Sequence, residues 1–157
     1  MNTKIACVQM DVSIGNVETN RQTIVDRIRT AAESRAQLVI FPECALTGYC
    51  FESLEEAIPF AEPLNGPSAT AFVEACKATD THAVVGFIEK DGSKFYNAAM
   101  LVGHNPGMEE LLLLLTAESV GIATGTCAKV AVKASKWANA VDKRATLEWV
   151  VKPRELE

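Results

Sequence analysis

The stretch Leu38–Tyr49, LVIFPECALTGY, decides how the rest of the chain is read. Its first four residues, Leu38, Val39, Ile40 and Phe41, are aliphatic, β-branched or aromatic, the composition of a buried strand. Pro42 ends the run because proline cannot donate to a sheet ladder. Glu43 is thereby left at the carboxyl end of a buried strand, the edge of an α/β sheet where ligands and catalytic groups gather. An unpaired buried carboxylate is costly, so Glu43 either serves chemistry or is a solvated strand end. The residues alone leave both open. Thr47-Gly48-Tyr49 reads as a turn that brings an aromatic hydroxyl near.

Working outward, Lys4–Met10 (KIACVQM) is a β-type run, and Gly15-Asn16 breaks it. Asn16 can cap a helix beginning at the next residue. From Val17 to Ser34 the apolar positions Val17, Ile24, Val25, Ile28, Ala31 and Ala32 make one helical stripe, with Arg21, Asp26, Arg27 and Arg29 left for solvent. The order β-α-β is the unit of a layered α/β fold. On the other side, Glu52–Phe60 is acidic and holds Pro59, a short helix and then a loop. Pro67 suits a first helical position, and Ala69, Phe72, Val73 and Cys76 keep amphipathic spacing. Ala83–Glu89 is another strand, Asp91-Gly92 a hairpin turn, and Lys94–Val102 the antiparallel partner. All four strands are expected in one sheet, with the two long helices on one of its faces.

Composition excludes several classes. The chain has 157 residues, 48% of them hydrophobic, enough for a real core. Leu111–Leu115 is far too short to span a bilayer, and a start straight into a strand pattern gives no sign of a secretory leader. Five cysteines, an odd number with no CxxC pair, argue against a disulfide framework or a zinc site, and a reducing, cytoplasmic setting fits best. No cofactor or metal is expected. A net charge of −5 without a basic run disfavours nucleic acid and anionic membrane as partners.

Read together, KIACVQMDVSIGNVETN, LVIFPECALTGY, PLNGPS, HAVVGFIEKDG and KFYNAAMLVG succeed one another at the spacing of the nitrilase superfamily, the carbon–nitrogen hydrolases. The first two-thirds of the chain resembles that family. The resemblance implies an α-β-β-α sandwich and a catalytic Glu, Lys and Cys. In that set the Cys attacks a nitrile or amide carbon to form a thioester, the Glu is general base, and the Lys stabilises the tetrahedral intermediate. By resemblance Glu43 is the base, and Tyr49 and Asn97 lie near the site in a supporting, substrate-binding role. The bland alternatives are a packed aromatic for Tyr49 and a strand-end residue bonded to backbone for Asn97. The implied partner is a small amide, carbamoyl or nitrile compound.

After Gly103 the resemblance stops. The family's Y-R-K-x-H-L element, which brings the Lys, is replaced by HNPGMEELLLLLTAESVG, and no Lys or Arg occurs between Lys94 and Lys129. Nothing matches the G-x-x-I-C-Y-D element that carries the nucleophile. The tail from His104 holds seven acids and seven bases, against thirteen and eight before it, which supports a boundary. We therefore expect a nitrilase-like amino-terminal half-domain, residues 1–103, and a divergent, mostly helical tail, residues 104–157. In that tail Met108–Ala117 suits a helix. Thr126 can cap a second helix whose apolar stripe includes Cys127, Val130, Ala131, Ala134, Trp137, Ala138 and Val141. Thr146–Val151 reads as a final strand. Cys127 is a candidate nucleophile if a helix N-terminus lowers its pKa, or an ordinary small core residue.

The chain is thus open to two functions: hydrolysis of a C–N bond, or a catalytically silent module that keeps half the fold and serves assembly. Half a sandwich leaves an apolar sheet face to cover, and patches of that size mark interaction sites. The expected outcome is a homo-oligomer; sedimentation as a monodisperse monomer at micromolar concentration would count against it.

Overall fold

Asn16 starts the first long helix, its side chain accepting the Thr19 amide at 3.2 Å. That helix, α1 (Val17–Glu33), lies between two short parallel strands, β1 (Ile5–Cys7) and β2 (Leu38–Ile40). A one-turn helix, α2 (Leu54–Ala57), is capped by Ser53 and runs into a 3-10 turn at Ile58–Phe60. Pro67 opens α3 (Pro67–Thr79), where its missing N–H costs nothing. Then come β3 (His82–Asp91) and β4 (Lys94–Val102), joined through Gly92 at φ 60°. The computed structural model describes residues 3–103, 105–123, 126–131 and 145–152. The chain divides into two compact units, Met1–Gly103 and His104–Glu157.

Within the first unit the four strands form one sheet in the order β1-β2-β3-β4, parallel except for the last pair. Both crossovers step the same way along this order. Right-handed connections therefore put α1 and α3 on the same face, and there they pack against each other. Ile24 and Ile28 of α1, Phe72 and Cys76 of α3, Val39 of β2, and Val85 and Phe87 of β3 are fully buried between helices and sheet. Each large apolar side chain buried there is worth about 1.5–3 kcal/mol. Alternate positions face the other way: Ile5, Ile40 and Leu101 keep 52%, 36% and 37% of their surface exposed. Among the described residues no helix is long and apolar enough to cross a membrane.

The run expected over Lys4–Met10 pairs as a strand only at Ile5–Cys7. Its partner β2 is equally short, because Phe41 bonds onward to Val84 (2.9 Å) and Pro42 then ends the ladder.

In the second unit α4 (Gly107–Thr116) buries Leu112 and Thr116 and leaves Leu114 78% exposed. The helix expected from Thr126 is not there. Cys127–Ala131 is instead a strand, β5, paired antiparallel with β6 (Thr146–Val151), the final strand expected from the sequence. The segment CAKVAVK fits a strand as well as a helical stripe, since a two-residue period puts Ala128, Val130 and Val132 on one side and Lys129 and Lys133 on the other, and pairing with TLEWVV decides between the two. Lys129 lies in that strand, 3.7 Å from Glu148. The expected helix beyond Ala131 falls outside the described residues.

Asn20 ties α1 to the loop that leaves β2. It is 1% exposed, donates to the Ser13 and Leu46 carbonyls at 2.8 and 2.9 Å, and accepts the Ser13 amide at 2.9 Å. Asn20→Ala strands the Leu46 carbonyl and removes the partner of the Ser13 amide, while the Ser13 carbonyl keeps the Asn16 amide, so urea titration should show a loss of about 1–3 kcal/mol.

Candidate active site

Beyond Phe41 the chain crosses β3 at Gly86. A Cβ there would stand 2.5 Å from the Cys44 nitrogen and 2.9 Å from the Pro42 oxygen, so only glycine lets the backbone pass. The Leu46 amide donates to the Gly86 carbonyl at 3.2 Å and holds the crossing in place. Cys44 takes a left-handed conformation, φ 46°, uncommon for a side-chain-bearing residue. Its carbonyl accepts the amides of Thr47 and Gly48 at 3.1 and 2.8 Å, which closes the turn. Gly48 at φ 79° releases the chain toward Tyr49.

This turn presents Glu43 outward. Its side chain is exposed rather than enclosed by the strand end, and Asn97 Nδ2 donates to Glu43 Oε1 at 2.6 Å. Asn97 is not a strand-end residue bonded to backbone. It sits inside β4 opposite Ile88, and the same alternation that buries Ala98 and Met100 toward the helices turns it to the other face. Cys44 is 4% exposed, with its Sγ 3.5 Å from Asn97 Oδ1. Burial pushes the Cys44 thiol above its ordinary value and the neighbouring Glu43 carboxylate pushes it further, while a hydrogen bond with Thr47 acts the other way. Cys76, deep in the core, is pushed up to about 12 by burial alone.

Beside this group lies a cleft of about 260 Å3, lined by Cys44, Tyr49, Phe51, Leu54, Ala57, Ile88, Phe95, Tyr96 and Asn97. Tyr49, 69% exposed, stands at its edge and is not a packed aromatic. Phe51 stacks on Phe60 with centroids 5.7 Å apart. That wall is anchored below. Glu62 accepts the Ser68 amide and hydroxyl at 3.0 Å each, lies 3.7 Å from Arg21, and pairs its backbone with Ile88 and Lys90 of β3.

Asn97 and Tyr49 thus line one cleft, and Glu43 stands beside it, joined through Asn97, while Cys127 belongs to β5 of the second unit. Gly86 escapes the sequence reading, although a glycine inside a strand pattern is a signal, and so does the contact of Cys44 with Asn97, which nothing in the spacing marks. Among the described residues no lysine or arginine pairs with Glu43, and no group of His, Cys, Asp and Glu side chains could hold a metal ion.

Residues 4–112 match the family model described as carbon-nitrogen hydrolase. A nitrilase of Pyrococcus abyssi is 37% identical over 101 residues, 64% of this chain and 38% of that protein. An (R)-stereoselective amidase of a Pseudomonas species is 32% identical over 99 residues, 63% of this chain and 35% of that protein. The crystal structure of an N-terminal amidase superposes with a TM-score of 0.55 at 27% identity, covering 64% of this chain and 25% of that one. The chain spans well under half the length of these relatives.

The geometry carries two expected outcomes. Gly86→Ala should cost about 1–3 kcal/mol in chemical denaturation, because backbone rather than a flexible side chain must yield. In native protein at neutral pH a maleimide should label the exposed Cys7 and Cys50 well before Cys44 and Cys76, an order read by peptide mass spectrometry.

Proposed function

Since the chain belongs to the carbon–nitrogen hydrolase family, we propose that it carries the base-bearing part of a site that cleaves C–N bonds in small neutral amides, carbamoyl compounds or nitriles, with Glu43 as general base. The supporting observation is an exposed carboxylate at an apolar cleft, one oxygen held by Asn97 and the other unclaimed among the described residues. Such a carboxylate can take a proton from an attacking thiol or water and return it to the departing nitrogen. The cleft lining supports a neutral substrate. Phe51, Leu54, Ala57, Ile88 and Phe95 offer apolar surface, and no lining residue is charged. The names of the relatives, nitrilase and amidase, fit the same bond class. Cys7, Cys44, Cys50 and Cys76 are free thiols, which agrees with a reducing, cytoplasmic setting.

One observation favours a second reading, that this chain by itself is a silent, self-associating module. No cation pairs with Glu43 among the described residues to offset charge on a tetrahedral intermediate, and the thiol nearest to it has a raised pKa. Groups that act as a unit lose orders of magnitude when one is missing.

The two readings separate by experiment. Benzamide should bind weakly, and Glu43→Ala should weaken it about tenfold, the worth of a hydrogen bond to a charged group; equal affinities would remove Glu43 from the site. Ammonia release from a panel of amides, carbamoyl compounds and nitriles should be no faster with the chain than with Glu43→Ala. Turnover lost in the variant would retire the silent reading.

A further inference from the structure

We infer that Cys44 and Asn97 form a positioning relay for Glu43, the buried thiol setting the Asn97 amide so that its nitrogen aims at the carboxylate. The inference rests on Glu43 being the base proposed above. It begins from what each group can do. A carboxylate only accepts, so the atom of Asn97 that faces Glu43 Oε1 at 2.6 Å has to be the amide nitrogen. The amide oxygen is then turned the other way, where Cys44 Sγ lies 3.5 Å from it. A neutral thiol is a weak donor and suits that oxygen; a thiolate would repel it.

The surroundings keep the thiol in the neutral form. Cys44 is 4% exposed and next in sequence to Glu43, and both burial and the adjacent negative charge disfavour a thiolate. Thr47 acts the other way through its hydrogen bond with Cys44, but its hydroxyl also donates to the Gly48 carbonyl at 2.9 Å, and burial is the larger effect. The backbone settles where the sulfur points. Cys44 is held at φ 46° over Gly86, so its side chain comes down onto the face of the sheet from which Asn97 rises. Two residues that are 53 positions apart in sequence therefore meet through a conformation that only the Gly86 crossing permits.

This arrangement gives Cys44 a role other than nucleophile. Its proton stays on sulfur, and no bond is made or broken there. Asn97 is a positioning residue as well: both ends of its amide are engaged within the protein, which leaves Glu43 Oε2 as the oxygen available to a substrate.

The relay is tested without turnover. In wild-type protein the S–H stretching band of Cys44, assigned by its loss in Cys44→Ser, should sit at a hydrogen-bonded frequency, and Asn97→Leu should shift it to that of a free thiol. Exchange of the Asn97 side-chain amide protons, measured by NMR, should rise about fivefold in Cys44→Ala, the loss of one modest hydrogen bond. Cys44→Ser keeps a donor and should return the rate to within twofold of wild type. Both substitutions carry the same backbone strain and both leave space where the sulfur was, so a purely structural role predicts a disturbance in each, with no return to wild-type exchange in the serine variant. Equal exchange in the serine and alanine variants, or an S–H band that ignores Asn97→Leu, would overturn the relay. Asn97→Ser gives a second check on the band should the leucine variant fold poorly. The general-base reading is judged separately, by benzamide affinity in Glu43→Ala. The relay can fail with that affinity difference intact, and the base reading can fail with the band and exchange behaviour intact.

Discussion

The backbone of Pro42, Glu43 and Cys44 passes over β3 at a point where there is room for a hydrogen and for nothing larger. That close approach at Gly86 governs the rest of the site. It forces Cys44 into a left-handed conformation, turns the thiol inward and the Glu43 carboxylate outward, and puts both within reach of a side chain on β4. Glycine in a strand weakens it, since it packs nothing and gives up more conformational freedom on folding. Here the cost goes to a crossing that no other residue would allow.

Polar groups elsewhere in the first unit hold that crossing in register. Asn20 binds the Leu46 carbonyl from α1, and the Gly15 amide reaches the Thr47 carbonyl at 2.9 Å, so the loop is fixed from both sides. Glu62 fixes the cleft's far wall by capping α3 and joining the backbone of β3. These are buried or half-buried bonds whose partners come from different elements, the kind that cost most when one member is left unsatisfied. The outcome is a carboxylate whose place is set by contacts from several elements and whose second oxygen has no partner among the described residues.

The segment that matches the carbon–nitrogen hydrolase family, residues 4–112, holds Glu43, Asn97 and the cleft, and runs a little beyond the first unit. Within it the geometry is that of an exposed carboxylate held by one amide. The second unit, with α4 and the β5–β6 pair, supplies no residue that can be carried over from the family's remaining motifs. Its apolar stripe at Cys127 shows how an alanine-rich segment can satisfy two periodicities, so that the partner strand, not local propensity, chooses the structure.

Much was legible from sequence alone. The β-α-β order, the cap at Asn16, the helix start at Pro67, the hairpin at Gly92 and the sheet of four strands came from periodicity and turn chemistry, because these are local preferences written over a few residues. Glu43 was marked by its place after an apolar run ended by proline. What only the tertiary structure decided was which residues stand beside it. Asn97 comes from a strand 54 positions away, and its face is set by the β3–β4 register. Cys44 is buried by a neighbouring strand and not by anything in its own segment. Sequence spacing carries the period of a helix or strand; it does not carry the distance between two elements that fold onto one another, and the chemistry of this site resides in that distance.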